Sequence, residues 1–495
     1  MKSLSSFRFL VSAAAAMLAL AAVAKPRLFV LTDLANEPDD EESLVRLLVY
    51  ANEFDIEGLV ATTSCYIRKG PREDLLRKAI DAYGEVRGNL AVHADGFPTA
   101  DALRKVTASG QPGYGMTSVD AATPGSRLLA KAIMKKDERP LWITVWGGAN
   151  TLLRALRDAK AENGEAEFKR ALGRLKVYEI SDQDDSSAVI RREFPEIEHI
   201  VDPCPAGDNR TYGAATWRGI SGDLHGRERF HLPHRGLVEN RWLEENIRSK
   251  GPLGKCYPPW KYFMEGDTPS WLGLVDNGLR WDVSPAYGGW GGRYEWRTPH
   301  GETHPVWATP EEKDVIGHHR IGGNSITRWR EEYQLDFAAR MTWSVTPNYK
   351  GANHNPVAVV NGDRTKGVVR LKAHAGGKVE LSAEGSSDPD GDSLKYEWLV
   401  YEEAGTVKGA RIEARGAAAT LDLSGVAGDA KGEVHVILRV RDSGSPAMFA
   451  YRRIVVEVVP FDLSSAPLFA PSTLDKMGED VLPALSLSVY VIRRS

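Results

Sequence analysis

The sequence predicts an α/β domain built on a mostly parallel sheet, followed by a smaller β-sandwich domain. Three observations predict it. Short apolar runs alternate with helical patterns up to about residue 202. The texture then turns to Gly, Pro and Trp until about residue 345. From about 363 to 460 only short alternating runs follow, separated by turn residues.

The chain opens on "MKSLSSFRFLVSAAAAMLALAAVAKPR", with Lys2 and Arg8 ahead of an apolar stretch and Ala22-Val23-Ala24 after it. That is the pattern of a cleaved secretory signal over 1–24, too short in its apolar part for a membrane anchor. Export to the periplasm or the exterior is the expectation. "RLFVLT" (27–32) is a continuous apolar run, as a strand buried on both faces should be. Leu44, Leu47, Leu48 and Ala51 recur at helical spacing, and "IEGLVATT" is the next strand. A strand, a helix and a strand in about 40 residues make a βαβ unit with parallel strands. "PREDLLRKAIDAYGEV", "GSRLLAKAIMKK" and "ANTLLRALRDA" read as helices; "PLWITVWG", "RLKVYEIS" and "IEHIVD" read as strands. The Gly/Pro/Trp region reads as irregular loops with short helices, and "SITRWREEYQLDFAARMTW" closes a first domain spanning 25–347. "NYKGANHNPVAVVNGD" reads as a linker into the second domain, 348–460, and 461–495 carries no pattern that can be placed.

Composition bounds the function. With 495 residues, 42% apolar and 26% charged, and a net charge of −4, the chain is an ordinary globular protein. No basic stripe points to nucleic acid. Three cysteines permit at most one disulfide and match no zinc spacing.

"TDLANEPDDEES" (32–43) holds six acids: Asp33, Glu37, Asp39, Asp40, Glu41 and Glu42. In an open parallel sheet, ligands bind beyond the carboxyl ends of strands, which is where Asp33 falls. Asp39 or Asp40 can cap the helix that follows, so Asp33 and Asp40 can converge above the sheet. Carboxylates with carbonyls and water make an oxygen-only site suited to Ca²⁺ or Mg²⁺. The alternative is a solvated helix cap, and Glu41 and Glu42 are read as solvated charge. Asp182, in "SDQDD" after a strand, is either a second cleft residue or a loop cap. Trp290, Trp296 and Trp307 offer sugar-stacking faces or loop packing. His318-His319 read as structural, and "DPDGD" (388–392) as an Asx-rich turn.

"LFVLTDLANEPDDEESLVRLL" resembles the N-terminal motif of the nucleoside hydrolase superfamily, "EGLVATT" its second strand, and "WITVWGGANTLLRAL" the segment before a later helix. With "ISDQDDS", "WRGISGD", "EGDTPSWLGL" and "GGWGGRYE", the set is most similar to a secreted branch described as cellulose-binding proteins, over roughly 27–460. "SSDPDGDSLKYEW" resembles immunoglobulin-like PKD modules. The resemblance implies a nucleoside-hydrolase-like fold and a Ca²⁺ ion held by Asp33, Asp40, the carbonyl of Trp146, and Asp267. It implies Asp39 at the sugar hydroxyls; Asn36, in the same turn, is read as a further substrate contact. It implies Asp33 as the base that takes a proton from the attacking water, through an oxocarbenium-like transition state. The sequence departs from the superfamily at five places. Two extra residues stand between Asp33 and Asp39, and Asn36, Glu37 and Pro38 fill a turn where the superfamily has Gly. Leu31 replaces an acid, Ser64-Cys65-Tyr66 lacks the sugar-contacting Asn, and Gly266 replaces a His next to the metal Asp.

Two functions follow. One is an exported, calcium-dependent hydrolase of N- or O-glycosidic bonds in a carbohydrate or nucleoside-like substrate. The other is a carbohydrate-binding protein without turnover. The calcium reading requires Asp33, Asp40 and Asp267 to meet within about 6 Å, close enough to share one ion.

Overall fold

A computed structural model of the chain describes residues 24–35, 37–204, 215–217, 219–222, 232–323 and 325–461. Residues 1–23 of the expected signal segment 1–24, Asn36 and the tail beyond 461 lie outside the described residues. No described helix is long and apolar enough to cross a membrane.

The first half is a βα alternation. It runs β1 (Arg27–Thr32), α1 (Asp39–Val49), β2 (Asp55–Ala61), α2 (Glu73–His93), α3 (Ala100–Lys105) and β3 (Thr107–Ser109). Then come α4 (Pro124–Ile133), β4 (Leu141–Val145), α5 (Asn150–Glu162), α6 (Glu165–Leu172), β5 (Leu175–Glu179), α7 (Ser186–Glu193) and β6 (Glu198–Ile200). The loop-rich region holds α8 (Asn240–Leu243), α9 (Gly251–Gly254), α10 (Pro269–Leu272), β7 (Glu295–Arg297), β8 (Val306–Ala308) and a small hairpin of β9 (Asp314–Ile316) and β10 (His319–Ile321). Helix α11 (Arg330–Trp343) ends it.

Eight strands form one sheet in the order β3-β2-β1-β4-β5-β6-β8-β7, with only β7 antiparallel. β1 and β4 are buried at every position, which is why each reads as an unbroken apolar run. One core packs α1, α2 and α11 against one face; the other packs α4, α5 and α7 against the opposite face. The sheet is therefore covered on both sides, and its C-terminal edge is left for a site. The three-residue strands β3, β7 and β8 were not read from the sequence, because three residues establish no period.

The second half is a two-sheet β-sandwich. β11 (Val369–His374), β12 (Lys378–Ser382), β13 (Lys395–Val400), β14 (Arg411–Arg415), β15 (Ala418–Asp422), β16 (Gly432–Arg441) and β17 (Phe449–Val459) make it up. They pair as β11-β17-β16-β13 and β12-β15-β14. β11 and β14 went unread, being half-exposed strands with charge at alternate positions.

The two halves share a core. In β16, Val434, Val436, Leu438 and Val440 face the sandwich interior. Ile437 and, from β17, Phe449 and Tyr451 belong instead to the core of the α/β half. The polar residues on this second face are buried too. Arg453 Nε donates to the Leu279 carbonyl at 2.6 Å and Nη2 to that of Gly288 at 2.9 Å. Tyr451 N–H donates to the Asn277 carbonyl at 2.9 Å. Gly278 lies so close that a Cβ there would sit 1.9 Å from the Tyr451 carbonyl oxygen. The segment read as a linker is packed as well: Val359 and Val360 are buried, and His354 is placed between Asp390 at 2.9 Å and His93 at 3.0 Å.

Candidate functional site

Asp33 follows the last residue of β1, and Asp39 opens α1. The turn between them passes through Ala35 at φ 86°, a left-handed conformation that glycine would take without strain. Asp39, Asp40, Glu41 and Glu42 fill the first turn of α1, where the partial positive charge of the helix start favours anions. No side chain caps that helix.

The second contribution comes from far along the chain. Asp267 lies just before α10, and its loop is fixed by buried polar contacts. Arg46 on α1 grips Glu265 at 2.6 and 2.9 Å, while Tyr257 and Thr268 donate to the same carboxylate at 2.7 Å each. Glu265 is itself in the left-handed region, at φ 48°. Its N–H donates to Glu42 Oε2 at 2.8 Å. Glu42, read from the sequence as solvated, is fully buried and ties α1 to the Asp267 loop.

These elements bring Asp39, Asp40 and Asp267 together. Each offers a carboxylate oxygen within 4.8 Å of the others, and no other such group of three occurs among the described residues. The group includes Asp39, which the resemblance placed at the sugar hydroxyls, beside Asp40 and Asp267. Asp33 stands alongside as a fourth carboxylate. Its Oδ2 accepts a hydrogen bond from Ser64 Oγ at 2.5 Å, and Gly147 packs against it, since a Cβ there would lie 2.6 Å from Oδ1. Thr32 Oγ1 donates to Asp40. Burial pushes the pKa values of Asp39, Asp40 and Asp267 well above the usual aspartate range, and repulsion from neighbouring carboxylates, Asp33 among them, adds to it. Asp33 is raised by burial as well. Asp267 Oδ2 is buried with no hydrogen-bond partner.

That orphaned oxygen, among carboxylates pressed together out of water, is what a hard divalent cation would satisfy. The donor set is all oxygen, which suits Ca²⁺ or Mg²⁺ and not a soft metal. The residues therefore fit the ion that the resemblance implies.

Other expected members fall elsewhere. Trp146 lines the cavity of the carboxylates, and its carbonyl accepts from Gln183 Nε2 at 2.5 Å. The Trp146 indole N–H reaches Ser270 Oγ at 3.0 Å, and Ser270 in turn donates to the Asp267 carbonyl at 2.6 Å. Asp182 does not line the cleft: it is buried in a two-pronged pair with Arg191, at 2.7 and 2.8 Å. Trp290 is corrected too. Only 2% exposed, it packs edge-on to Tyr333 and Tyr451 at the junction of the two halves and offers no face to a sugar. Asn36 lies outside the described residues.

The carboxylates line a cavity of about 590 Å³, within the usual range for a small-molecule site. Trp146, Gln183 and Trp217 line its wall, and Tyr66, Lys261 and Tyr262 also border it. Sequence reasoning assigned Gln183, Trp217, Tyr66 and Tyr262 no role. The first two lie inside the quoted segments "ISDQDDS" and "WRGISGD", so a signal existed for them. For Tyr66 and Tyr262, which sit on irregular loops, no periodic pattern existed. A Cβ on Gly266 would lie 2.3 Å from Asp39 Oδ2 and 2.6 Å from the Phe263 ring, so residue 266 cannot carry a side chain while Asp39 keeps its place.

Comparison with known proteins adds the following. A family profile described as cellulose-binding Sde182, nucleoside hydrolase-like domain, matches residues 27–294. A second, described as the C-terminal domain of cellulose-binding protein Sde0182, matches residues 378–458. Among solved structures, a nucleoside hydrolase-related hypothetical protein from Saccharophagus degradans, described as associated with carbohydrate metabolism, is 34% identical. The match covers 88% of this chain and 100% of that one, with a TM-score of 0.74. The effector protein XOO4466, 11% identical over 65% of this chain and 94% of its own, has a TM-score of 0.36 and carries no argument. No curated protein matches the chain.

Proposed function

We propose a function from one premise: the chain belongs to the cellulose-binding Sde182 family with its nucleoside hydrolase-like domain. The reading is that the protein binds a carbohydrate in the acidic cleft and hydrolyses a glycosyl bond there, dependent on Ca²⁺. The observation that carries it is the meeting of three buried aspartates with a fourth beside them, on one cavity at the end of the sheet. The N-terminal pattern of the sequence supports export as part of the same reading.

Asp39, Asp40 and Asp267 would hold the cation. When bound, it would supply the positive charge that keeps the carboxylates ionised and acidifies nearby water. Asp33 stands beside the trio, its Oδ2 engaged by the Ser64 hydroxyl. Its Oδ1 is then the oxygen that takes a proton from water as that water attacks the anomeric carbon. A departing alkoxide needs a proton. Glu37 borders the same cavity, and burial, then Asp33, raises its pKa, so it is the candidate donor. The bare backbone at Gly266 leaves no imidazole beside Asp39 to activate a nucleobase, which favours an O-glycoside over a nucleoside.

The test is a panel of aryl glycosides, cello-oligosaccharides and nucleosides, assayed with Ca²⁺ and with chelator. Calcium-dependent turnover is expected on O-glycosides, and Asp33→Asn is expected to abolish turnover while retaining calcium binding by calorimetry. A wild type that binds calcium and sugar but turns over nothing would leave the second reading, binding without catalysis, which Gly266 also supports.

A further inference from the structure

We propose that Tyr66 and Tyr262 form an aromatic subsite at the mouth of the cleft that stacks a second sugar ring, so that the ligand is an oligosaccharide entering by its end. This rests on the carbohydrate reading above and specifies its substrate class.

The cleft has a depth axis. At its floor, Asp33, Asp39, Asp40 and Asp267 are all buried. At its border stand two large rings in water, Tyr66 at 39% and Tyr262 at 51% exposure. Single exposed aromatics are common on surfaces. Here two of them, from loops distant in sequence, border one cavity whose floor is acidic. A pyranose presents C–H groups on its faces and hydroxyls on its edge, which fits ring faces outside and carboxylates inside.

Both rings are mounted on fixed backbone. The turn that carries Tyr66 is organised around Ser64, whose Oγ accepts the N–H of Tyr66 at 3.1 Å and of Ile67 at 3.2 Å. The same hydroxyl donates to Asp33 at 2.5 Å. One side chain thus sets both a floor carboxylate and a rim aromatic. On the other loop, the Met264 N–H donates to Ser221 Oγ at 2.9 Å, and the Met264 carbonyl accepts the Ile220 N–H at 2.8 Å. Lys261 Nζ lies over the Tyr262 ring, 5.1 Å from its centroid, a cation with hydrogens to offer a sugar hydroxyl. Such preorganisation lowers the cost of ordering the rim on binding.

The experiment compares glucose with cellobiose by calorimetry on the full chain, with Ca²⁺ present. The wild type is expected to bind cellobiose about tenfold more tightly than glucose, the scale of an aromatic anchor. Tyr262→Ala and Tyr66→Ala should each erase most of that gain and leave glucose affinity unchanged. Tyr262→Phe should keep it, because the ring and not the hydroxyl makes the contact. Thermal melts matching the wild type would show that the variants are folded. Equal losses for glucose and cellobiose, or full retention of the cellobiose gain, would overturn the subsite. A wild type that binds both sugars equally overturns the subsite alone; one that binds neither overturns the carbohydrate reading with it.

Discussion

A carboxylate buried beside others behaves opposite to one on a surface. Asp267 is pushed well above the ordinary aspartate value of 3.8, first by burial and then by Asp40, Asp39 and Asp33. Between that value and its raised folded-state value, the unfolded chain gives up protons that the folded protein keeps. Rising pH therefore favours unfolding of the metal-free protein across this window. Calcium demands ionised carboxylates, so its affinity should climb over the same range. Melting temperature followed from pH 4 to pH 8, in chelator and in millimolar calcium, should show two curves that separate as pH rises; parallel curves would contradict the trio as an ion site. Asp267→Asn gives a sharper test, because removing one charge should raise the melting temperature in chelator by a few degrees, the scale of about 1 kcal/mol. It should also abolish the further rise that calcium gives. Gly266→Ala should destabilise by about 1–3 kcal/mol, the usual cost of forcing a methyl into filled space. The check is a urea melt with calcium affinity measured beside it, and both should fall.

At the scale of elements, α1 is more than the carrier of two ligands. Arg46 reaches from its last turn to the Glu265 carboxylate, and both groups are fully buried. Arg46→Met would strand that buried carboxylate without its cation, leaving only the Tyr257 and Thr268 hydroxyls, at a cost of about 3–5 kcal/mol. It would also loosen the loop that presents Asp267, so urea melts and calcium titrations should both register the change. This pairing shows where the sequence stops being readable. β1, β2, β4 and β5 were legible because a strand buried on both faces has no choice but to be apolar. Asp40 and Asp267 were singled out together only because the segments around them resemble a known superfamily. Whether Asp33 or Asp39 completes the trio was not legible, since it turns on the path of the loop from Leu34 to Pro38 and on where the first turn of α1 begins. Glu42 was misread because acidic runs are usually solvated; its partner, the N–H of Glu265, lies 223 residues away. Trp290 was misread because an aromatic, Gly-rich segment looks the same whether it meets a ligand or another part of the chain.

Over the whole molecule, the α/β half and the sandwich are one hydrophobic body. Tyr401, Ile437, Met448, Phe449 and Tyr451 sit in the same core as Trp290, Trp329 and Tyr333. Charged groups lock the same boundary: Arg441 pairs with Glu331 at 3.0 Å and Arg328 with Glu403 at 3.0 Å. The full chain should therefore melt in one transition by calorimetry. Removal of residues 348–495 should leave a species that exposes apolar surface and lacks cooperative melting. Trp290→Ala should cost about 3–5 kcal/mol and leave sugar affinity intact in the protein that stays folded, which a pull-down on cellulose at low temperature would check.

The hydrogen bond from Trp290 to Tyr451 spans 161 residues of chain. At bacterial or eukaryotic rates of synthesis, about 5–20 residues per second, the ribosome needs roughly 8–32 seconds to pass from one to the other. Early in that interval β7 and β8 are made, and from then on the nascent α/β half has every strand of its sheet but lacks the wall that covers its aromatic flank. A holding chaperone has a defined surface to occupy during that time. The core that the two halves share is complete only once β17 has been made.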